Sequence, residues 1–168
     1  PDPVTGSILT PIYQTTTYVQ DSVDEYLAKG YSYSRSANPT VRALEQKLTS
    51  LEDGNDCTCF ATGMAAINAV LLAFLNAGEH AVVSDVAYGG TYRLCTQVFV
   101  RFGVEFTFAD TSDPDAVRNS IRANTRLILT ETPANPTLKL TDIAAISVIA
   151  KQHDILHAVD NTFLTPYF

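Results

Sequence analysis

The chain has 168 residues, a formal net charge of −7, 46% hydrophobic and 17% charged residues. That is ordinary globular stock, enough for one core. Acidic charge without a basic cluster argues against a nucleic-acid surface, and no run approaches the ~18 apolar residues of a membrane span.

Pro1-Asp2-Pro3-Val4 lacks the basic and apolar regions of a signal peptide. Three cysteines without framework spacing fit a reducing compartment, so a cytoplasmic location is expected. Ile8 to Val19 is Thr- and Tyr-rich with one proline, which reads as an extended arm lying on another surface. Asp21 to Lys29 reads as a short helix stopped by Gly30.

Tyr31 to Thr40 is a polar loop. Either it is simply solvated, or Tyr33 and Arg35 form an anion clamp, since a guanidinium fork suits phosphate oxygens. A helix then starts at Pro39 with Asn38 as cap, and Val41, Leu44, Leu48 and Leu51 share one face. Gly54 closes it.

Cys57 to Thr62 reads as a strand that turns through Gly63 into an apolar helix, Ala65 to Asn76, expected to be buried nearly all round. The helix start at Thr62, Gly63 and Met64 offers N–H groups and a positive dipole end, a ready anion site. Cys57 and Cys59 lack a second pair to complete a zinc set and read as core thiols.

The remainder alternates. Strands are expected at Ala81–Ser84, Glu105–Ala109, Leu127–Thr130 and Leu156–Asp160. Helices are expected at Tyr92–Phe102, from Pro114 to about Arg122, and at Asp142–Gln152. Thr141 should cap the last, with Ile143, Ile146 and Ile149 facing the core. Such alternation means βαβ units and an α/β fold with a mainly parallel sheet flanked by helices. The last strand should be buried on both faces and end in Asp160. Ligands of such sheets bind at the carboxyl ends of strands. A carboxylate there can bind a metal, hold a sugar hydroxyl, act as a base, or hold a protonated ring nitrogen.

Four loops could share that edge: Thr62-Gly63-Met64, Tyr88-Gly89-Gly90, Pro133-Ala134-Asn135-Pro136 and Asp160-Asn161-Thr162. They offer an anion site, an aromatic ring, an amide and a carboxylate. The set suits a flat heteroaromatic cofactor with a phosphate and a basic ring nitrogen. Neither a dinucleotide turn nor a nucleoside-triphosphate loop is present.

Five motifs run in register. They are Tyr33-x-Arg35-x-x-Asn38-Pro39-Thr40, Ala61-Thr62-Gly63-Met64-Ala65-Ala66, Tyr88-Gly89-Gly90-Thr91, Glu131-Thr132-Pro133-Ala134-Asn135-Pro136 and Val159-Asp160-Asn161-Thr162. Together they resemble the Cys/Met-metabolism family of pyridoxal-phosphate enzymes. That family includes cystathionine γ-synthase, cystathionine β- and γ-lyases, methionine γ-lyase and the O-acyl-homoserine sulfhydrylases.

The resemblance implies a fold-type I transferase, pyridoxal 5′-phosphate as cofactor, and trans-sulfuration chemistry on a sulfur-containing amino acid. It implies that Gly63 and Met64, with Thr62 beside them, bind the phosphate. Tyr88 stacks on the ring and supplies the acid near the leaving group, and Asn135 approaches the ring 3-oxygen. Asp160 pairs with the ring nitrogen, and Thr162 lies near the ring. Tyr33 and Arg35 reach the phosphate of a neighbouring subunit. The implied assembly is a homo-oligomer, a tetramer built from dimers with shared sites, with the arm resting on the neighbour. No metal, nucleic acid or membrane is implied.

The resemblance also implies missing parts. The family's cofactor-binding lysine lies beyond the Asp-Asn-Thr strand, and Lys29, Lys47, Lys139 and Lys151 do not occupy that motif. Residues 1–37 are then the arm and phosphate-clamp loop, and 38–168 the first part of an incomplete large domain. Such a chain alone should be inactive. Methionine γ-lyases often carry a cysteine at the position of Gly90, which favours the cystathionine enzymes. Methionine γ-lyase and O-acetylhomoserine sulfhydrylase remain alternatives, as do an aminotransferase of the same fold and a non-catalytic binding or assembly module.

Overall fold

A computed structural model describes residue 2 and residues 4–167, with the backbone alone for 25–27. Pro1, Pro3 and Phe168, at the outer bounds of the expected segments, lie outside the described residues. The chain forms two compact units, residues 1–59 and 60–168.

In the first unit the arm is extended and pinned to its own chain. Thr17 bridges Tyr33 antiparallel, and Tyr18 N–H donates to the Ser32 carbonyl at 3.0 Å. Helix α1 spans Val23–Lys29 and α2 spans Pro39–Leu51. Asn38 caps α2 by accepting from Thr40 N–H at 2.9 Å, and its amide donates to the Tyr13 carbonyl at 3.0 Å. One side chain therefore fixes both helix start and arm. The expected apolar stripe of α2 exists but is bare: Val41, Leu44 and Leu51 are exposed. So are Ile8, Leu9 and Ile12 of the arm.

The second unit is an all-parallel, four-stranded sheet in the order β2-β1-β3-β4. The strands are β1 His80–Ser84, β2 Glu105–Ala109, β3 Thr125–Glu131 and β4 Leu156–Asp160. Helices cover both faces. On one, Leu71 and Leu75 at the end of α3 (Gly63–Phe74), with Cys95 and Phe99, pack on Ala81, Val83, Leu127 and Leu129. On the other, Val117 of α5 (Pro114–Ser120) and Ile146, Ile149 and Ala150 of α6 (Ile143–Gln152) pack on Val82 and Ile128. Alternate strand residues thus feed opposite cores, as the period of two requires. Each fully buried Leu or Ile here stabilises by roughly 1.5–3 kcal/mol before entropy is counted.

Several expectations are corrected. Cys57 to Thr62 forms no strand: it has no ladder partner, because the described ladders join only β1 to β4. Cys57 and Cys59 are free, half-buried thiols rather than core thiols. Helix α3 begins at Gly63 and is not buried all round. Only one flank meets the sheet, and Leu72 is 63% exposed. The expected helix Tyr92–Phe102 begins earlier, as α4 (Gly89–Arg93). It then widens to a π turn at Leu94–Val98 and tightens to 3-10 geometry at Phe99–Phe102. Gly103 stops it at φ +78°, where a side chain would be strained.

Asp142, not Thr141, caps α6 by accepting from Ala145 N–H at 2.9 Å; the Thr141 hydroxyl pairs with that of Thr111 instead. Ile143 faces outward while Ile146 and Ile149 are buried. Strand β4 is half-buried, not enclosed, as the outermost strand of the sheet among the described residues. Among the described residues no helix is long and apolar enough to cross a membrane.

Candidate cofactor site

Parallel strands put all their carboxyl ends on one edge. Glu131 and Asp160 stand opposite each other there, in register at the ends of β3 and β4. Tyr88 follows β1 and starts α4; Asn135 lies on the loop after β3; Thr62 caps α3. Seven of the expected residues, Thr62, Gly63, Met64, Tyr88, Asn135, Asp160 and Thr162, line one cavity of about 380 Å³. Ile67, Glu131, Pro133 and Phe163 complete its wall. The volume falls within the range of small-molecule sites.

The polar groups of this cavity are partly committed and partly open. The Thr62 hydroxyl accepts from Ala65 N–H at 3.1 Å, and the Thr62 carbonyl accepts from Ala65 and Ala66. Gly63 and Met64 N–H have no acceptor among the described residues, as expected of the first helical positions. A Cβ at Gly63 would stand in open space. Asp160 Oδ1 accepts from Thr162 N–H at 3.2 Å and from its hydroxyl at 2.5 Å. Asp160 Oδ2 and the Asn135 side-chain amide have no hydrogen-bond partner among the described residues.

Glu131 was not anticipated. The residue is 9% exposed. One oxygen accepts from Tyr88 N–H at 2.5 Å and the other from Asn135 N–H at 3.2 Å. The available signal was the one used for Asp160: an acid at the carboxyl end of an apolar strand.

Gly90 is required by a close approach. A Cβ there would lie 2.5 Å from the Tyr88 ring and 2.7 Å from Met64 Sδ. No lysine lines the cavity among the described residues. Lys139, on the loop that carries Asn135, is held by Asp110 at 2.6 Å and Asp85 at 3.4 Å. The hydrogen bond to Asp110 leads the causes that raise the Lys139 ammonium above its usual range, so the amine stays protonated and engaged.

Tyr33 and Arg35 lie in the first unit. The guanidinium stacks over the Tyr33 ring, 5.0 Å from its centroid, and no carboxylate pairs with it among the described residues. Arg35 also lines a cavity of about 620 Å³ in that unit, with Lys29, Arg42 and Cys59. Arg42 there is committed to Glu45 and Asp56.

The second-unit cavity fits a flat phosphate-bearing heterocycle. Two open N–H groups at a helix start face a phosphate's needs, an open carboxylate oxygen suits a ring N–H, and an open amide suits a ring oxygen. Pyridoxal phosphate is a group of this kind. The Cys/Met metabolism PLP-dependent enzyme family matches residues 1–168, and the chain belongs to it.

A cystathionine gamma-lyase of Bacillus subtilis (strain 168) is 50% identical over 167 residues, covering 99% of this chain and 43% of that protein. A probable cystathionine gamma-synthase of Herpetosiphon aurantiacus is 48% identical, covering 99% of this chain and 51% of that protein. The crystal structure of cystathionine gamma-lyase from Lactobacillus plantarum complexed with L-serine superposes with a TM-score of 0.93 at 44% identity. It covers 99% of this chain and 42% of that one. The chain therefore spans about half, or less, of the proteins it resembles.

Proposed function

We propose that residues 1–168 form the cofactor-binding part of a pyridoxal-phosphate-dependent trans-sulfuration enzyme. Its substrate is cystathionine or an O-acyl-homoserine, and its reaction is a γ- or β-elimination or replacement. Cystathionine γ-synthase or cystathionine lyase is the activity best supported, by the names of the relatives and by Gly90. One observation carries the reading: the open groups of Gly63, Met64, Asn135 and Asp160 line one cavity with the Tyr88 ring.

When bound, pyridoxal phosphate supplies an electron sink for the charge left as the substrate loses its α-proton. The chain's own residues do the rest. Gly63 and Met64 N–H groups, with Thr62, hold the phosphate. Thr162 occupies Asp160 Oδ1 and leaves Oδ2 to hold the ring nitrogen's proton. Asn135 addresses the ring oxygen. Tyr88 stacks on the ring, and its hydroxyl delivers the proton that the leaving group needs. Asp160 and Tyr88 are the catalytic pair.

Residues 1–37 serve as arm and clamp, and 38–168 as the first part of the large domain. Tyr33 and Arg35 complete the phosphate site of a second copy in a tetramer built from dimers. That no carboxylate pairs with Arg35 among the described residues supports that role. Free cysteines support a cytoplasmic setting. No lysine lines the cavity among the described residues, which supports the reading that residues 1–168 alone are inactive.

The test is hybrid complementation in the full-length protein. Arg35→Ala protomers mixed with Asp160→Ala protomers should regain activity, because each hybrid holds one intact shared site. Hybrids that form and stay inactive overturn the shared site. Full-length wild-type protein that takes up no pyridoxal phosphate overturns the whole reading.

A further inference from the structure

We infer that Glu131 is a positioning residue, one carboxylate that sets both the Tyr88 ring and the Asn135 amide for the cofactor. The inference rests on the cofactor reading above and adds a residue to it.

The geometry is specific. Tyr88 and Asn135 come from loops after two different strands, β1 and β3. Neither loop has a regular partner at these positions, yet both backbone N–H groups end on the same side chain. Each carboxylate oxygen takes one of them. Glu131 itself is fixed by its backbone, at the last rung of the β3–β4 ladder opposite Asp160. Three cofactor-facing residues are thus referred to one rung of a rigid sheet. Functional groups held this way stay within the fraction of an ångström that productive geometry needs.

The chemistry requires a carboxylate. Two N–H donors need two acceptors, and Glu supplies both without a donor of its own. Glutamine offers one oxygen and one NH₂ group, so one of the two N–H groups would meet a donor. Aspartate is one methylene shorter and cannot span both loops. Because the residue is buried, the group left unpaired gains little from water.

The experiment titrates full-length apoprotein with pyridoxal phosphate by fluorescence and records the visible spectrum of the bound form. Apoprotein melting is measured alongside. Glu131→Gln should weaken cofactor binding about tenfold or more and shift the bound cofactor's absorption maximum, as its stacking partner and its ring-oxygen partner both move. In a Tyr88→Ala, Asn135→Ala background the same substitution should change affinity less than twofold, because the groups it acts through are gone.

Three results overturn the inference. One is Glu131→Gln with wild-type affinity and spectrum. Another is a loss that is as large in the double-variant background. A third is a lowered melting temperature with unchanged affinity, which makes Glu131 structural only. If Glu131→Gln does not fold, Glu131→Asp is measured in the same way, with the same results expected. Failure of wild-type protein to bind the cofactor overturns the underlying reading and this inference with it. Failure confined to the variants overturns this inference alone.

Discussion

The two ends of the same parallel sheet treat polar groups in opposite ways. At the amino end the buried polar groups of the described residues are paired inside the protein. His80 is fully buried, and its ring nitrogens pair with the hydroxyls of Thr125 at 2.8 Å and Thr107 at 2.9 Å. Arg122 bonds Glu105 and Thr107, each at 2.9 Å. At the carboxyl end Asp160, Asn135, Gly63 and Met64 keep acceptors and donors open. Exposure explains the difference. A buried polar atom left unpaired costs about 1–3 kcal/mol, so the amino end must satisfy itself. The carboxyl end faces water and can wait for a ligand.

The largest expected effect breaks the carboxyl end. In the full-length protein Asp160→Ala should lower turnover on the order of 10²–10³-fold or more, while thermal unfolding moves by about 1–3 kcal/mol, the worth of the two lost Thr162 bonds. Steady-state kinetics and calorimetry together check this. Near wild-type turnover with cofactor bound would remove Asp160 from the catalytic pair.

A second substitution sharpens the same end. Gly90→Ala places a Cβ where the Tyr88 ring and Met64 sulfur already sit. The ring has to swing, so cofactor affinity should fall roughly tenfold, about 1.4 kcal/mol. Titration of the apoprotein reads it directly. Unchanged affinity would mean that the ring position is free to adjust.

The amino end responds to acid rather than to cofactor. Burial pushes the imidazole of His80 below its usual range, helped by the Arg122 charge and opposed by Glu105. Burial alone lowers His157, whose ring pairs with Thr130 and Ser147. Both bind protons less readily when folded than when unfolded, where they titrate near 6.5. As pH falls, the unfolded chain binds protons first, so unfolding is favoured. Their stabilisation is present above about 6.5 and lost as pH falls from there through the lowered folded values. Denaturant midpoints across that range should decline, and Thr125→Ala should cost about 1–3 kcal/mol without altering cofactor affinity.

The sequence made the carboxyl end more legible than the packing. Short apolar runs and the strand–helix alternation suffice to place β1 to β4. Once the strands are parallel, their ends must share an edge, which is why Tyr88, Asn135 and Asp160 line one cavity. What a single segment cannot show is its neighbours. Cys57 to Thr62 has strand-like residues but no partner strand. Leu72 of α3 and Ile143 of α6 belong to apolar patterns but face outward. The choice between Thr141 and Asp142 as cap turned on Thr111, 30 residues away, claiming the threonine. Glu131 carried the same strand-end signal as Asp160, but the meeting of two loops on it is visible only in the fold.

The smallest effect separates a surface contact from both ends. Lys139 ties the Asn135 loop to Asp110 and Asp85. The hydrogen bond from Lys139, with a second from Ser112, holds the Asp110 carboxyl down at about 2. That shift does not translate into much stability. Asp110 and Asp85 are exposed, and solvent screens such pairs to about 0–1 kcal/mol. Lys139→Ala should therefore lower stability at neutral pH by less than about 1 kcal/mol, and by less still in high salt. The pH dependence has two sides. The carboxyl's share is present above about 3.9 and lost as pH falls through about 2. The ammonium's share is present below about 10.4 and lost as pH rises through its raised folded value. The ammonium window lies above the histidine decline, so a melting profile can separate those two. A loss well above 1 kcal/mol, or a change in cofactor affinity, would show that the ion pairs shape the Asn135 loop as well as decorate it.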